Sequence, residues 1–202
     1  MERQQRRRRT RGAAAAAVAA GGLVMALVSA DPAAGHGWGA RAVLRDTAGN
    51  KVGTVRFDGD EQGTDVKVTL HGITTGTNTF HGIHLHANDS VAPCDPLAAQ
   101  GPFTNVGGHW NLTGGVHGAH TGDLPSVLVQ VDGTATARSV SGRIDPSVIA
   151  GRAVILHAGP DNFANVPTRY TTGAPPVAGP DAATYATGDA GGRIACGVIT
   201  LD

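Results

Sequence analysis

The sequence Val66-Lys67-Val68-Thr69-Leu70 alternates apolar and polar side chains at every step. A period of two is what a β-strand with one buried face requires, whereas an amphipathic helix repeats every 3.6 residues. Upstream, residues 40–45 and 51–57 show the same short apolar runs and flank Asp-Thr-Ala-Gly-Asn at 46–50. Turn-forming residues between two such runs predict a β-hairpin.

Five more strand candidates follow this stretch, each a short run rich in β-branched and other apolar residues. They cover residues 80–86, 126–131, 134–139, 152–157 and 193–200. Gly, Asn and Asp separate the runs, and residues 146–150 allow at most one short turn. About eight short strands without a long helix predict an all-β sandwich or barrel.

Two long segments, residues 87–124 and 158–192, interrupt the regular spacing of the strands. Loops of that length inside a compact domain usually carry function. Each of the two follows a strand candidate that ends in a histidine, His86 in one case and His157 in the other. We therefore expect both loops to contribute to a functional site.

The first 30 residues have the composition of a secretory signal peptide. Six arginines within residues 1–11 precede a run of Ala, Gly, Val, Leu and Met at 12–28, and small residues follow at a cleavage position. A membrane anchor is the alternative, but the run is short and weakly apolar for a span. We predict a signal peptide over 1–30, a flexible leader over 31–39 and one folded domain over 40–202.

Removal of the signal peptide changes the charge of the chain. The mature chain keeps ten of 16 basic residues and 15 of 16 acidic residues, so its formal net charge moves from zero to −5. Because nucleic-acid binding needs a basic surface, no nucleic acid is expected as a partner. No stable membrane span is expected in the mature chain either, and its length suits one domain with a core of its own.

Histidines are concentrated in one part of the chain. Seven of the nine fall within residues 70–120, and His84 and His86 lie two residues apart in an apolar run. Residues two apart on a strand point to the same face, so both imidazoles can reach one ion. Imidazole is the usual ligand for copper or zinc. The two cysteines, Cys94 and Cys196, allow a single disulfide, which favours a metal protein outside the cytosol.

Five motifs in a fixed order carry a resemblance to a known family. They are His-Gly-Ile-His-Leu-His at 81–86, Gly-Gly-His-Trp-Asn at 107–111, His-Thr-Gly-Asp-Leu-Pro at 120–125, His157 followed by Asp161, and the closing segment 188–196. In this order they resemble the copper/zinc superoxide dismutases, over about residues 40–201. The resemblance implies an eight-stranded Greek-key β-barrel with two long functional loops.

The resemblance also implies two metal sites that share one imidazole. The copper ligands would be His84, His86, His109 and His157, a four-nitrogen set that suits Cu(II). The zinc ligands would be His109, His117, His120 and Asp123, a closed tetrahedral set. Only two residues separate His117 from His120, fewer than the family usually has. A copper-only protein, with His117 as a solvated loop histidine, is therefore the alternative at the zinc site.

Three further roles come from the resemblance. Asp161 would accept hydrogen bonds from a copper ligand and a zinc ligand together and so fix their orientation. Arg193 would be the catalytic cation that attracts and holds a small anion beside copper. Cys94 and Cys196 would form the disulfide that ties the first long loop to the last strand. His81 lies three residues from His84, so it faces the opposite side of the strand and is expected to be structural.

The predicted function is the disproportionation of superoxide to oxygen and hydrogen peroxide, with Arg193 and His109 as catalytic residues. Copper and zinc are the predicted cofactors, superoxide is the substrate and a homodimer is possible. The chain is expected to be exported, either secreted or in the cell envelope. Two alternatives use the same barrel without this chemistry, a copper-binding or copper-delivery module and a metal-free structural sandwich.

Overall fold

The computed structural model describes residues 39–88, 90, 92–173 and 175–202. The predicted signal peptide and residues 31–38 of the predicted leader lie outside these residues. The first strand, β1, begins at Gly39. Among the described residues, no helix has both the length and the apolar character that crossing a membrane would need.

Eleven strands are found in the described part of the chain. In chain order they are β1 (Gly39–Asp46), β2 (Lys51–Asp60), β3 (Gly63–Leu70), β4 (Thr79–His81), β5 (Ile83–His86), β6 (Val127–Val129), β7 (Ala135–Ser141), β8 (Ala153–His157), β9 (Thr171–Thr172), β10 (Val177–Ala178) and β11 (Arg193–Leu201). The described helices are short: two 3₁₀ turns at Thr104–Val106 and Pro146–Val148, and α1 at Ala182–Thr187.

Seven of the strands form one antiparallel sheet in the order β5-β8-β11-β1-β2-β3-β7. Two small sheets, β4 with β6 and β9 with β10, complete the strand pairing of the described residues. Burial alternates along β3, where Val66, Val68 and Leu70 point inward and Lys67 and Thr69 are exposed. The period of two in the sequence therefore marks one buried face, and the predicted all-β barrel class is confirmed.

The core fills the space that the large sheet curls around. Its largest side chains include Phe57, Leu44, Ile83, Leu85 and Leu156, each with no exposed surface. Full burial of such a side chain contributes roughly 1.5–3 kcal/mol. A second, smaller cluster of Phe103, Val106, Ala153, Ile155 and Cys196 packs the first long loop against the outer face of β8 and β11.

The sequence predicts one strand over residues 80–86, but the structure divides it at Gly82 into β4 and β5. β4 pairs with β6 and β5 pairs with β8, so the chain changes sheets at this point. A Cβ at position 82 would lie 2.8 Å from the Cβ of Ala190 and 3.1 Å from Cε1 of His84. Gly82 is therefore required where the chain passes close to the histidines.

Candidate metal centre

β5 brings the first two histidines together at the edge of the large sheet. His84 and His86 are fully buried and share one face of the strand, while Ile83 and Leu85 point the other way into the core. The open edge of β5 is covered by the first long loop, through bridges from His84 to Asp123 and from His86 to His109. The strand thus places three histidines and a carboxylate side by side.

The third sheet-borne histidine comes from the neighbouring strand. His157 ends β8 and is 4% exposed, and its backbone N–H donates to the carbonyl of Gly82 at 2.9 Å. In the register of β8 and β11 it pairs with Arg193. The sheet therefore fixes the relative positions of the ligand candidate and the predicted catalytic cation.

Four imidazole nitrogens converge on one point. They are His84 Nδ1, His86 Nε2, His109 Nε2 and His157 Nε2. All four are buried and have no hydrogen-bond partner among the residues that the structure describes. The four histidines form one group whose ligand atoms lie within 4.8 Å of one another. A buried nitrogen without a partner costs free energy, so four at one point fit a bound cation.

The opposite nitrogen of each of these imidazoles has a partner. His84 Nε2 lies 2.7 Å from Asp161 Oδ2, His86 Nδ1 lies 2.9 Å from the carbonyl oxygen of Gly107, His109 Nδ1 lies 3.0 Å from Asp123 Oδ1, and His157 Nδ1 lies 3.0 Å from the carbonyl oxygen of Gly191. A ring nitrogen that faces a carbonyl donates its hydrogen, which leaves the lone pair on the other nitrogen. Contacts of this kind orient metal-binding histidines.

Burial keeps the imidazoles of His84, His86 and His157 neutral. Desolvation lowers the pKa of His84 to about 4 and that of His157 to about 3. It also holds the pKa of His86 well below its usual range. Metal ions bind the neutral form of imidazole, so at neutral pH all three side chains are in the form that a metal needs.

A second set of donors surrounds Asp123. His109 Nδ1 lies 3.0 Å from Asp123 Oδ1, and Nδ1 of both His117 and His120 lies 3.3 Å from the same oxygen. His117 Nδ1 and His109 Nδ1 are 3.2 Å apart. Four ligands bound at 2.0–2.1 Å around a tetrahedral zinc ion would be about 3.3 Å from one another. The spacing of this set therefore fits a tetrahedral zinc site.

The carboxylate of the second set is held in its charged form. Burial raises the pKa of Asp123, but hydrogen bonds from His109 and His117 outweigh this effect and bring the pKa well below its usual range. Its second oxygen, Oδ2, accepts hydrogen bonds from the backbone N–H groups of Gly118 and His120 at 2.7 and 3.0 Å. Both contacts fix the carboxylate with Oδ1 towards the imidazoles.

Three donors of the second set also lie near His84. A ligand atom of His84 is within 4.8 Å of those of His109, His117 and Asp123. However, Nε2 of His84 already contacts Asp161, and its Nδ1 belongs to the four-nitrogen group. His120 Nδ1 is buried, makes no hydrogen bond among the described residues and lies 3.3 Å from Asp123 Oδ1, so it is the better fourth donor.

Asp161 contacts one histidine of each donor set, through the nitrogen that faces away from the candidate metal position. Its Oδ2 lies 2.7 Å from Nε2 of His84, and both of its oxygens lie 2.8 Å from Nε2 of His117. The carboxylate has no exposed surface. Gly188 passes so close to this bridge that a Cβ there would overlap Asp161 Oδ1 and His117 Nε2.

The two sets have the donor composition of a copper site and a zinc site, with His109 between them. Residues 51–199 match the sequence profile of a family described as copper/zinc superoxide dismutase. The chain belongs to the copper/zinc superoxide dismutase family. The match covers most of the described residues, and the resemblance carried by the sequence motifs is confirmed.

Curated bacterial relatives agree with this assignment. The chain is 36% identical over 160 residues to the superoxide dismutase [Cu-Zn] of Mycobacterium tuberculosis, covering 75% of this chain and 65% of that one. It is 38% identical to that of Mycolicibacterium paratuberculosis, covering 77% and 71%, and 35% identical to that of Haemophilus parainfluenzae, covering 75% of each. The chain thus spans a little less than two thirds of the Mycobacterium tuberculosis relative.

A cavity of about 420 Å³ opens onto the four-nitrogen group of this family member. His86, His109 and His157 line it together with Arg193 and Asp189. The cavity therefore gives a small molecule access to the point at which the four nitrogens converge. Among the charged side chains that line it, Arg193 is the cation and Asp189 the anion.

Backbone carbonyls of the first long loop hold Arg193. Its Nη1 donates to the carbonyl of Phe103 and its Nη2 to that of Gly107, both at 2.7 Å. The carbonyl oxygen of Gly107 also contacts His86 Nδ1 at 2.9 Å. The predicted disulfide between Cys94 and Cys196 is present and ties this loop to β11. Backbone acceptors of this kind leave no pattern in a sequence, so sequence reasoning did not identify them.

Proposed function

We propose that this chain catalyses the disproportionation of two superoxide ions and two protons to oxygen and hydrogen peroxide. The observation that supports this most strongly is the group of four buried, unpartnered imidazole nitrogens beside a cavity that a cation lines. Copper held by these nitrogens would supply the one-electron chemistry that the reaction needs, the oxidation of one superoxide ion and the reduction of another.

We assign the four histidines of this group, His84, His86, His109 and His157, as the copper ligands. The neutral state of His84, His86 and His157 and the fixed ring orientations of the set support the assignment. We assign His109, His117, His120 and Asp123 as the zinc ligands, on the strength of the spacing of about 3.3 Å that a tetrahedral ion requires. His109 would belong to both sets, since its Nε2 lies in the four-nitrogen group and its Nδ1 lies beside Asp123.

Arg193 and His109 carry the catalytic roles in this proposal. The Arg193 guanidinium lines the cavity while two of its nitrogens donate to backbone carbonyls, so it attracts and orients a small anion without moving. His109 also lines the cavity. When its Nε2 is not engaged by metal, that nitrogen can hold a proton next to the reacting oxygen, and water can supply the second proton.

We also propose that the chain is exported. Its disulfide favours an oxidising compartment, and the arginines and apolar run of residues 1–28 have the composition of a secretory signal. The signal peptide over 1–30 and the homodimer remain predictions from the sequence. Sequencing the amino terminus of the protein recovered from culture medium or envelope fractions would locate the cleavage point.

One experiment tests the function directly. The purified mature chain is loaded with copper and zinc, its metal content is measured by mass spectrometry, and superoxide decay is followed by pulse radiolysis. We expect one copper and one zinc per chain and turnover that depends on copper. Copper without turnover would support a copper-delivery module, and turnover with no zinc bound would replace the zinc assignment by the copper-only alternative.

His157→Ala supplies the matched variant for this test. It should lower copper affinity and abolish turnover, because one of four ligands is lost, while circular dichroism shows an intact barrel. Turnover at the wild-type rate in this variant would contradict the ligand assignment.

A further inference from the structure

The segment between His117 and His120 cannot cover the second donor set. It consists of Gly118 and Ala119, which have no side chain larger than a methyl group, and Ala119 is exposed. Upstream, Leu112 and Val116 are 69% and 51% exposed, so they point away from the site. The side chain of His117 nevertheless has no exposed surface. Its cover must come from another part of the chain.

Phe163, in the second long loop, packs on this imidazole. The two rings lie nearly parallel, at 19°, with their centroids 6.2 Å apart. The same residue presses on the segment that joins the two ligands, since a Cβ at Gly118 would lie 3.0 Å from the carbonyl oxygen of Phe163. Phe163 itself is 43% exposed, so it stands between His117 and solvent.

The backbone at Phe163 adopts a conformation that an aromatic residue seldom takes. Phe163 and Ala164 have φ angles of 54° and 55°, in the left-handed region. Asp161 Oδ1 accepts a hydrogen bond from the Phe163 N–H at 2.7 Å, and Asn162 Oδ1 accepts one from the Ala164 N–H at 2.8 Å. Strained backbone that its surroundings hold in place is a pointer to function.

One turn therefore does two things for the same imidazole. Asp161 contacts Nε2 of His117, and Phe163, two residues later, covers the face of the ring. We propose that Phe163 is a positioning residue of the zinc site, which fixes the ring of His117 and closes the outer side of the site so that zinc is released slowly. The inference rests on the zinc assignment made under the proposed function.

The test measures zinc release from the fully loaded protein. An excess of a colorimetric zinc chelator is added and the rate of zinc transfer is followed. Phe163→Gly is the main variant, because glycine suits the positive φ and removes the ring without straining the turn. We expect release to be roughly tenfold faster, because losing a group that orients a metal ligand typically lowers metal affinity by about 10- to 100-fold.

Two further variants separate positioning from general stability. Phe163→Tyr keeps the flat ring and should release zinc at the wild-type rate. Tyr170→Ala removes an aromatic side chain of the same loop that is 54% exposed and should also leave the rate unchanged. With cobalt in place of zinc, the visible spectrum should change in Phe163→Gly and stay the same in Phe163→Tyr. If Phe163→Gly fails to fold, Phe163→Leu replaces it, with faster release expected.

The outcomes distinguish this inference from the proposed function. A wild type that binds no zinc would contradict the zinc assignment and the role of Phe163 with it. A wild type that holds zinc, with release and cobalt spectrum unchanged in Phe163→Gly, would overturn the positioning role alone. Faster release in Tyr170→Ala to the same extent would also overturn it, because any loosening of the loop would then have the same effect.

Discussion

At the scale of single residues, the site depends on which nitrogen of each imidazole is already engaged. His86 and His157 face carbonyl oxygens with Nδ1, so each leaves Nε2 with a free lone pair. His84 has the opposite arrangement: its Nε2 contacts Asp161, so its Nδ1 is the nitrogen with a free lone pair. The spacing of histidines in a sequence does not reveal this choice, since it depends on carbonyl groups and a carboxylate that only the folded chain brings near.

Arg193 is the residue on which substrate attraction depends in the proposed function. Arg193→Gln should lower the rate with superoxide by roughly tenfold and flatten its salt dependence, because steering by a charge is screened over about 10 Å at 0.1 M salt. Pulse radiolysis at several ionic strengths measures both effects. Copper content should stay at the wild-type value.

Arg138→Gln is the control, since it removes the same charge from an exposed ion pair between Arg138 on β7 and Asp65 on β3. Its rate and its salt dependence should both match the wild type. If Arg193→Gln behaved in the same way as this control, Arg193 would have no part in guiding the substrate.

Gly188 is required by the bridge between the two metal sites. In Gly188→Ala the new Cβ would overlap Asp161 Oδ1 and His117 Nε2, and φ there is +61°. We expect zinc affinity to fall by roughly 10- to 100-fold, as when contacts behind a ligand are lost. Gly192→Ala, where a Cβ meets no atom within 4 Å, should bind zinc normally in the same competition titration. Equal affinities in the two variants would show that the bridge tolerates the displacement.

At the scale of elements, the strand pattern was predictable and the change of sheet was not. The period of two identified the faces of β3 correctly, because one face of that strand is buried. The apolar run over 80–86 hid the division at Gly82, which depends on different partners for β4 and β5. Likewise, β9, β10 and α1 within the second long loop are too short, at two to six residues, for any periodicity to reveal.

The positions of the candidate ligands were predictable because motifs in a fixed order identified a family. Six of the seven candidates come together in two groups, and Nδ1 of the seventh, His120, lies 3.3 Å from Asp123 Oδ1. That these residues bind metal stays a prediction. The contacts that cover and orient these ligand candidates were not predictable from the sequence. Phe163 and Gly188 act through packing and close approach, and Phe103 and Gly107 act through their carbonyls. None of these contacts depends on a distinctive side chain at a fixed spacing.

The disulfide acts on a whole element, the first long loop. Cys94 and Cys196 close a loop with a sequence separation of 102 residues, which contributes about 4–5 kcal/mol at most in the chain-entropy model. Cys94→Ser should therefore lower the melting temperature, by roughly 10 °C. The segment that holds Arg193 should also exchange its amide hydrogens faster. Wild type with a reductant should converge on the variant in calorimetry, and no convergence would mean that the bond adds little.

At the scale of the whole molecule, the buried titratable groups link stability to pH. The pKa of His84 falls from 6.5 to about 4 on folding, and that of His157 to about 3, because both are desolvated. Between pH 6.5 and 4 the unfolded chain therefore binds protons that the folded chain does not. Folding stability is present above pH 6.5 and is lost as the pH falls through this window.

The pKa of His117 shifts in the opposite direction on folding. Burial lowers its pKa, but its contacts with Asp123 and Asp161 outweigh this and raise the pKa to about 9. A raised pKa stabilises the fold fully below the unfolded value of 6.5 and loses this effect as the pH rises towards 9. Asp123 and Asp161 have lowered pKa values, so their contribution is lost only below the unfolded value of 3.8.

Together these shifts predict a stability maximum near pH 6.5 for the metal-free protein. From there to pH 4, His84 alone accounts for a loss of about 3 kcal/mol, at 1.36 kcal/mol per pKa unit. Urea denaturation in the presence of a chelator measures the free energy of unfolding across this range. With copper and zinc bound, the same nitrogens are shielded from protons. The acid limb, which is the fall in the free energy of unfolding below pH 6.5, should therefore move to lower pH. Identical acid limbs with and without metals would show that these histidines do not bind them.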